Sequence, residues 1–302
     1  MKNYLKLVRW PNLIMLALLQ YLLRYAMAGP ILEMENLGLL LTDFEFFIMS
    51  ISCIFIAAGG YAINDIEDFE IDRINKPDKQ IVGKFIQKES AYNFYLIITF
   101  LGILGGFYLT YIKDYKYIGV INLICAGLLY FYSTGYKCIP LVGNLIISLL
   151  SAFIIFMVVL PEPLAREHQG VMLLIGAFMF FSFFMTLLRE IIKDIEDVEG
   201  DRQMNCQTIA NTLGVNRSKW IAIIITFLLI VCLTGAQYLS KQWESILPFL
   251  FVSIFIDLPM ILLFFKLINA HNKLDFTKAS FWLKLTMFTG TISIAIFYYS
   301  FK

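Results

Sequence analysis

The chain alternates long apolar runs with short breaks that carry its charge. Nine runs approach the roughly 20 mostly apolar residues that a bilayer-crossing helix needs: residues 10–28, 43–63, 90–111, 116–133, 140–160, 170–191, 217–237, 244–268 and 279–300. Hydrocarbon offers no partner to backbone N–H and C=O groups, and Gly, Ala and Ser are scattered through the runs where helices can pack closely. The pattern therefore predicts an all-α polytopic membrane protein, a nine-transmembrane-helix bundle forming one domain over residues 1–302, and not a barrel.

Composition strengthens that reading. Hydrophobic residues make up 59% of the 302 and charged residues only 16%, with 28 Phe, and the mean hydropathy is +0.74; a water-facing surface needs more charge than this. A net charge of +1 with no basic stripe excludes nucleic acid as a partner, and nothing implies an obligate protein partner. Cys53, Cys125, Cys138, Cys206 and Cys232 are widely spaced, odd in number and without a CxxC pair. That argues against a disulfide framework or thiolate metal site and for small buried side chains. Two histidines are too few for a histidine-ligated zinc or haem. Lys2, Lys6 and Arg9 ahead of an apolar run, followed by Ala26-Met27-Ala28, imitate a cleavable leader. Gln20 and Arg24 inside that run, and the charge distribution below, favour its retention as the first span.

Where the charges fall sets the orientation. With the N-terminus inside, the inner segments carry 17 Lys and Arg and the outer segments 5, the bias of a multi-pass protein of the cell membrane with a cytoplasmic N-terminus. The two longest inner loops follow the second and sixth runs and share the cytoplasmic face.

Those loops hold acids. Of 23 Asp and Glu, eleven lie in residues 65–72 and 190–201. Asp65 to Arg73 reads DIEDFEIDR and Asp194 to Arg202 reads DIEDVEGDR, identical at seven of nine positions. Asp65, Asp68 and Asp72, like Asp194, Asp197 and Asp201, stand at i, i+3 and i+7. On a helix this confines them to an arc of about 60°, with Glu67, Glu70, Glu196 and Glu199 on the opposite side. Three like charges on one arc repel unless a cation bridges them. Carboxylate oxygens select a hard divalent ion, and Mg²⁺ takes one or two carboxylates and completes its shell with water and phosphate. Two such arrays facing each other would clamp a diphosphate.

Basic and amide groups accompany the acids. Arg73, Lys76 and Lys79 follow the first array, Arg189 and Lys193 flank the second, and Lys137 stands in the short turn between the fourth and fifth runs. Each is a candidate contact for diphosphate oxygens, against the simpler role of inner-face anchoring. Tyr61, Phe107, Tyr108, Tyr130, Phe131, Tyr132, Phe180, Phe181, Phe183 and Phe184 supply aromatic faces able to line an isoprenoid chamber, although packing or lipid contact explains most of them. Asp257, an acid inside a span, is expected to face the bundle interior.

NDIEDFEIDRINKPDKQI, Asn64 to Ile81, resembles the first signature of the UbiA-type intramembrane prenyltransferase superfamily, matched at Asn64, Asp65, Asp68, Asp72, Asn75 and Pro77. The second array resembles that family's second aspartate motif, and REIIKDIEDVEGDR is most similar to the branch that builds archaeal-type ether lipids. The likeness extends to RWPN (Arg9 to Asn12) and to the turn from Tyr136-Lys137 to Gly143-Asn144, so it covers the chain. It departs at Lys79-Gln80 and at Asn205 to Ala210, and both departures leave the metal-binding positions intact.

The resemblance implies a cavity capped on the cytoplasmic side by the two motif loops. Asn64, Asp65, Asp68 and Asp72 would hold one Mg²⁺, and Asp194, Asp197 and Asp201 a second. Asp68, Asp72, Asp197, Lys193 and Lys137 would serve catalysis, and Asn64, Arg73, Lys76, Lys79, Lys137, Arg189, Asn144, Arg9 and Asn12 substrate binding. The substrates would be a prenyl diphosphate, geranylgeranyl-like, and a lipophilic acceptor such as a prenylglycerol phosphate hydroxyl; the rival acceptor is an aromatic quinone precursor. A cation-coupled transporter would place its acids nearer the midplane. A CDP-alcohol phosphatidyltransferase would show a DGxxAR opening, which is missing here.

Overall fold

The computed structural model describes residues 1–75, 77–113, 117–239 and 246–300, and among them every regular element is helical. The helices are α1 (Lys2–Leu7), α2 (Trp10–Leu23), α3 (Gly29–Met34), α4 (Asp43–Glu67), α5 (Phe69–Asn75), α6 (Lys88–Lys113), α7 (Ile118–Thr134), α8 (Val142–Phe156), α9 (Pro163–Glu167), α10 (Gln169–Glu196), α11 (Val198–Gln203), α12 (Ile209–Leu213), α13 (Val215–Leu239), α14 (Ile246–Val252), α15 (Leu258–Ile268) and α16 (Lys273–Ser300). Single π turns at Arg24–Ala28 and Ser253–Asp257 join α2 to α3 and α14 to α15. Seven continuous segments among the described residues are long and apolar enough to cross a bilayer. Each of the nine expected runs contains helix among its described residues, but α7 and α8 have only 17 and 15 residues, and the fifth run leaves helix after Phe156.

Local chemistry explains the element ends. Thr42 accepts from the Glu45 N–H and Glu45 returns a bond to the Thr42 N–H, a capping box that starts α4. Arg9 joins α1 to α2 in the left-handed region (φ 51°), and Pro11 stands in the first turn of α2. Each aspartate array straddles a break: α4 stops at Asp68 and α10 at Asp197, where a short helix takes over.

Helices α2, α4, α7, α8, α10 and α16 each pack on the next, and α16 returns to α2, so they enclose a space. Helix α6 lies against α4 and α7, while α13 and α15 buttress α10 and α16. The α4–α6 seam is tight at Gly102, where a Cβ would stand 2.9 Å from the Ser52 carbonyl oxygen. The outward stripe of α6, Ile97, Phe100, Leu101 and Leu104, is exposed and apolar, as a lipid-facing surface must be.

The arrangement corrects one expectation. Cys138 and Cys206 form a disulfide across a sequence separation of 68, joining the turn that carries Lys137 to the segment after the second array. Spacing along the chain carried no trace of it, because the two cysteines meet only when α8 packs on α10. Of the other three, only Cys53 is buried, and Cys232 is exposed. Arg24, the charge inside the first run, has a partner within the bundle. It is fully buried, paired to Glu162 at 2.7 Å and stacked over Phe46 at 4.5 Å.

Candidate active site

The six-helix enclosure holds a cavity of about 2110 Å³ whose lining changes character along its length. Apolar residues such as Met15, Leu19, Ile56, Phe153, Phe178 and Met185 line most of it, and both aspartate arrays border its polar end. The arrays therefore share one cavity. The sequence could only suggest this.

From the first array, Asn64 on α4 donates through Nδ2 to Asp68 Oδ2 at 2.7 Å, and the Lys137 ammonium contacts Asp68 Oδ1 from the α7–α8 turn. Arg9 donates to Asp65 Oδ1 at 2.7 Å and stacks over Tyr61 at 4.9 Å. Asn12 donates to Tyr61 Oη at 3.2 Å. Burial opposes the Arg9 charge, but Coulomb attraction to Asp65, with Tyr61 and Asp72 helping, holds its pKa above the ordinary value. The guanidinium is therefore a fixed positive charge at any pH in which the protein is folded. Its left-handed backbone is unusual for a residue with a Cβ, and the Asp65 pair helps to hold it there.

From the second array, Asp194 accepts from Asn144 Nδ2 at 3.0 Å. One turn deeper along α10, Glu190 accepts from Arg189 at 2.8 Å and lies 3.4 Å from the Lys193 ammonium. The two arrays are held together by a residue outside both. Asn75, at the end of α5, donates through Nδ2 to the Asp197 carbonyl and accepts through Oδ1 from the Gly200 N–H, each at 3.0 Å. Its own carbonyl accepts from Lys273 at 3.2 Å. Gly200 is required at this approach, since a Cβ there would fall 2.5 Å from the Asn75 amide.

Most expected residues meet here. Asn64, Asp65, Asp68, Asp72, Asp194, Asp197, Asp201, Lys137, Lys193, Arg9, Asn12, Asn144 and Arg189 all line the cavity. Arg73 does not. It is exposed beside Glu70 at 3.8 Å, because it follows the break at Asp68 on the outer side of α5. Lys76 lies outside the described residues, as does the side chain of Lys79. Glu67, Glu70 and Glu199 are exposed. Glu196 departs from its expected side: it lines the cavity and accepts from Thr277 at 3.0 Å, because α10 ends there and the ideal helical wheel no longer applies. Of the aromatic candidates, Tyr61, Tyr132 and Phe181 reach the cavity, whereas Phe107, Tyr108, Tyr130, Phe131 and Phe180 are exposed on the outside. Asp257 pairs inwardly, accepting from Gln237 Nε2 at 2.5 Å.

Two residues escaped the sequence reading. Asn75 was visible as part of a motif but not as a link between arrays. Lys284, a charge within an apolar run, lines the cavity from α16, and its position inside a span was the available signal.

The donor set suits a hard cation. Carboxylates and amides crowd the polar end, no histidine lines the cavity, and Cys206 is committed to its disulfide. Among the described residues no three acidic, histidine or cysteine side chains converge as a ready metal cage. Arg9 and Lys137 engage Asp65 and Asp68 instead, and Mg²⁺ needs only one or two carboxylates when phosphate and water complete its shell.

Comparison with known proteins places this geometry. The family model of the UbiA prenyltransferase family matches residues 25–298. The chain is similar to a digeranylgeranylglyceryl phosphate synthase of Saccharolobus solfataricus, 31% identical over 98% of this chain and 96% of that protein. It is also similar to the synthase of the same name from Methanosphaera stadtmanae, 29% identical over 82% and 86%. Among solved structures, one of a digeranylgeranylglyceryl phosphate synthase in membranes superposes with a TM-score of 0.65 at 25% identity, covering 98% of this chain and 97% of that one. A UbiA homologue from Archaeoglobus fulgidus, solved with DMAPP and Mg²⁺, superposes with a TM-score of 0.56 at 16% identity over 97% and 99%, a likeness of fold.

Proposed function

Because this chain belongs to the UbiA prenyltransferase family, it is an integral multi-pass membrane prenyltransferase, and we propose that it moves a geranylgeranyl-like group from a prenyl diphosphate to the hydroxyl of a prenylglycerol phosphate. The observation that carries this reading is the convergence of two aspartate arrays on the polar end of one otherwise apolar cavity. The named activity of the similar synthases supports the choice of acceptor.

Each part of the chain has a task in this reaction. Asn64, Asp65, Asp68 and Asp72 would hold one Mg²⁺, and Asp194, Asp197 and Asp201 another. Bound there, the metal would supply Lewis-acid neutralisation of charge on the departing diphosphate. Lys137 and Arg9 set fixed positive charge beside the same oxygens, where preorganised donors count for more than they would in water. Asn144 orients Asp194, and Asn64 orients Asp68. The apolar wall seats the isoprenoid tail and keeps water from the allylic carbon as its C–O bond breaks. The acceptor oxygen then bonds to that carbon, and its proton passes to a motif carboxylate. The excess of inner Lys and Arg supports a cytoplasmic position for the N-terminus and the motif end, with α7 and α8 crossing as the two shortest of nine spans.

Purified protein supplied with geranylgeranyl diphosphate and geranylgeranylglyceryl phosphate should yield the doubly prenylated phosphate and free diphosphate, and only with a divalent metal. A 4-hydroxybenzoate arm tests the rival acceptor. Asp68→Asn and Asp197→Asn should each abolish turnover while leaving the thermal unfolding midpoint in place; full activity in both would remove the two-array mechanism.

A further inference from the structure

Among the described residues, Lys284 is a cavity-lining cation inside a span that the donor chemistry does not use. It lines the cavity from α16, and no hydrogen bond or ion pair among the described residues engages it. Lys273, eleven residues earlier on the same helix, reaches the Asn75 carbonyl at the level of the motif loops. At 1.5 Å per residue, Lys284 therefore lies about 16 Å further along α16, below the aspartate arrays. Thr277, Ser280, Lys284 and Met287 all line the cavity and follow helical spacing, so a single face of α16 carries the lysine inward.

An ammonium within a span is costly without a counter-ion, and such residues usually face a ligand or a partner. The charges acting most strongly on Lys284 are Arg189, Lys193 and Arg9, all of its own sign, and then Glu190. Arg9 is committed to Asp65, and Glu190 already serves Arg189 and Lys193. Around the α10–α16 seam Arg189, Lys193 and Lys284 stand against Glu190 and against Asp194, which neighbours Lys193, so the seam keeps a net positive charge of +1. A positive seam suits an anionic head group, and a phosphomonoester, which carries about −1.5 to −2 at neutral pH, is the anion that the proposed acceptor brings. The position just below the diphosphate end is where the head group of an attacking acceptor must come.

We propose that Lys284, with Arg189 and Lys193, forms a second anion subsite that binds the phosphate of the acceptor, separate from the diphosphate clamp. This rests on the proposed acceptor class and deepens it. Arg189 and Lys193 flank Glu190 on α10, and Lys284 adds a third cation from α16, near enough for their charges to act on it. The acceptor is then fixed by its phosphate while its hydroxyl turns toward the allylic carbon.

The test compares wild type, Lys284→Met, Lys284→Arg and Lys278→Met, the last an exposed lysine of the same helix, against geranylgeranylglyceryl phosphate and its dephosphorylated alcohol. A charge-assisted contact corresponds to roughly a 10- to 100-fold effect. Lys284→Met should therefore raise KM for the phosphorylated acceptor by about that factor, leave KM for geranylgeranyl diphosphate unchanged, and treat the alcohol as wild type does. Lys284→Arg should restore most of the preference, and Lys278→Met should change nothing. Lys284→Met should also unfold no earlier than wild type, because it removes an unpaired charge; a purely structural lysine would lower the midpoint. An unchanged acceptor KM in Lys284→Met overturns the subsite, and so does a rise confined to the diphosphate donor. Failure of wild type to use the phosphorylated acceptor, with transfer to 4-hydroxybenzoate, would instead overturn the acceptor class.

Discussion

Asn75 offers the sharpest test of how the two arrays are held in register. Its side chain makes the two 3.0 Å hydrogen bonds that connect α5 to the Asp197 carbonyl and the Gly200 N–H, and Asn75 itself is buried. Asn75→Ala removes both and leaves a buried donor and acceptor without that partner. At about 0.5–1.5 kcal/mol for each bond, and more where a buried group stays unsatisfied, the loss should be about 2–3 kcal/mol. The Lys273 contact goes to the Asn75 main chain and survives, so the loops should loosen without detaching. A shift of about 1 Å between reacting groups can cost about a hundredfold in rate, so kcat should fall at least tenfold while the fold persists.

Gly200→Ala attacks the same joint from the other side, because its Cβ would lie 2.5 Å from the Asn75 amide. Each single change should lower both the unfolding midpoint in detergent and the rate of diphosphate release. In the Asn75→Ala background, however, Gly200→Ala has no amide left to strike. The double variant should therefore be less impaired than the sum of the two, with a coupling of about 0.5–3 kcal/mol. Additive losses, or wild-type kcat in Asn75→Ala, would refute the idea that this contact sets the spacing of the arrays.

Other outcomes follow from the same structure. Glu162→Ala strands Arg24, both side chains being 2% exposed, and should cost about 3–5 kcal/mol in a thermal melt, whereas replacing both with Met should cost much less. Cys206→Ser opens a link across a sequence separation of 68. Loop-closure entropy puts its stabilisation at no more than about 4.4 kcal/mol, less in a bilayer that already confines the spans, and a midpoint unchanged by this variant and by dithiothreitol would argue against the link. Lys137→Met should reduce kcat by about 10² or more with little change in donor KM; a KM effect alone would make Lys137 a binding residue only. Chelation with EDTA should stop turnover while the helical circular dichroism signal stays unchanged, since helix packing around apolar side chains holds the bundle together.

Local pattern and tertiary structure contributed different things. Apolar run length decides where a chain can cross a membrane, because the bilayer sets a fixed thickness and forbids unpaired backbone. Each of the nine runs contains helix among its described residues for that reason, and the duplicated DIED segments revealed the carboxylate chemistry because neighbouring residues and short repeats are visible without a fold. That the arrays border one cavity, that Asn75 bridges them, that Cys138 meets Cys206, that Arg24 finds Glu162 138 residues away, and that Lys284 faces inward while Arg73 faces out are all consequences of helix packing. A one-dimensional pattern records which residues are apolar or charged. Which helix a given face meets depends on the breaks at Asp68 and Asp197 and on the closing of α16 against α2, and only the folded chain determines them.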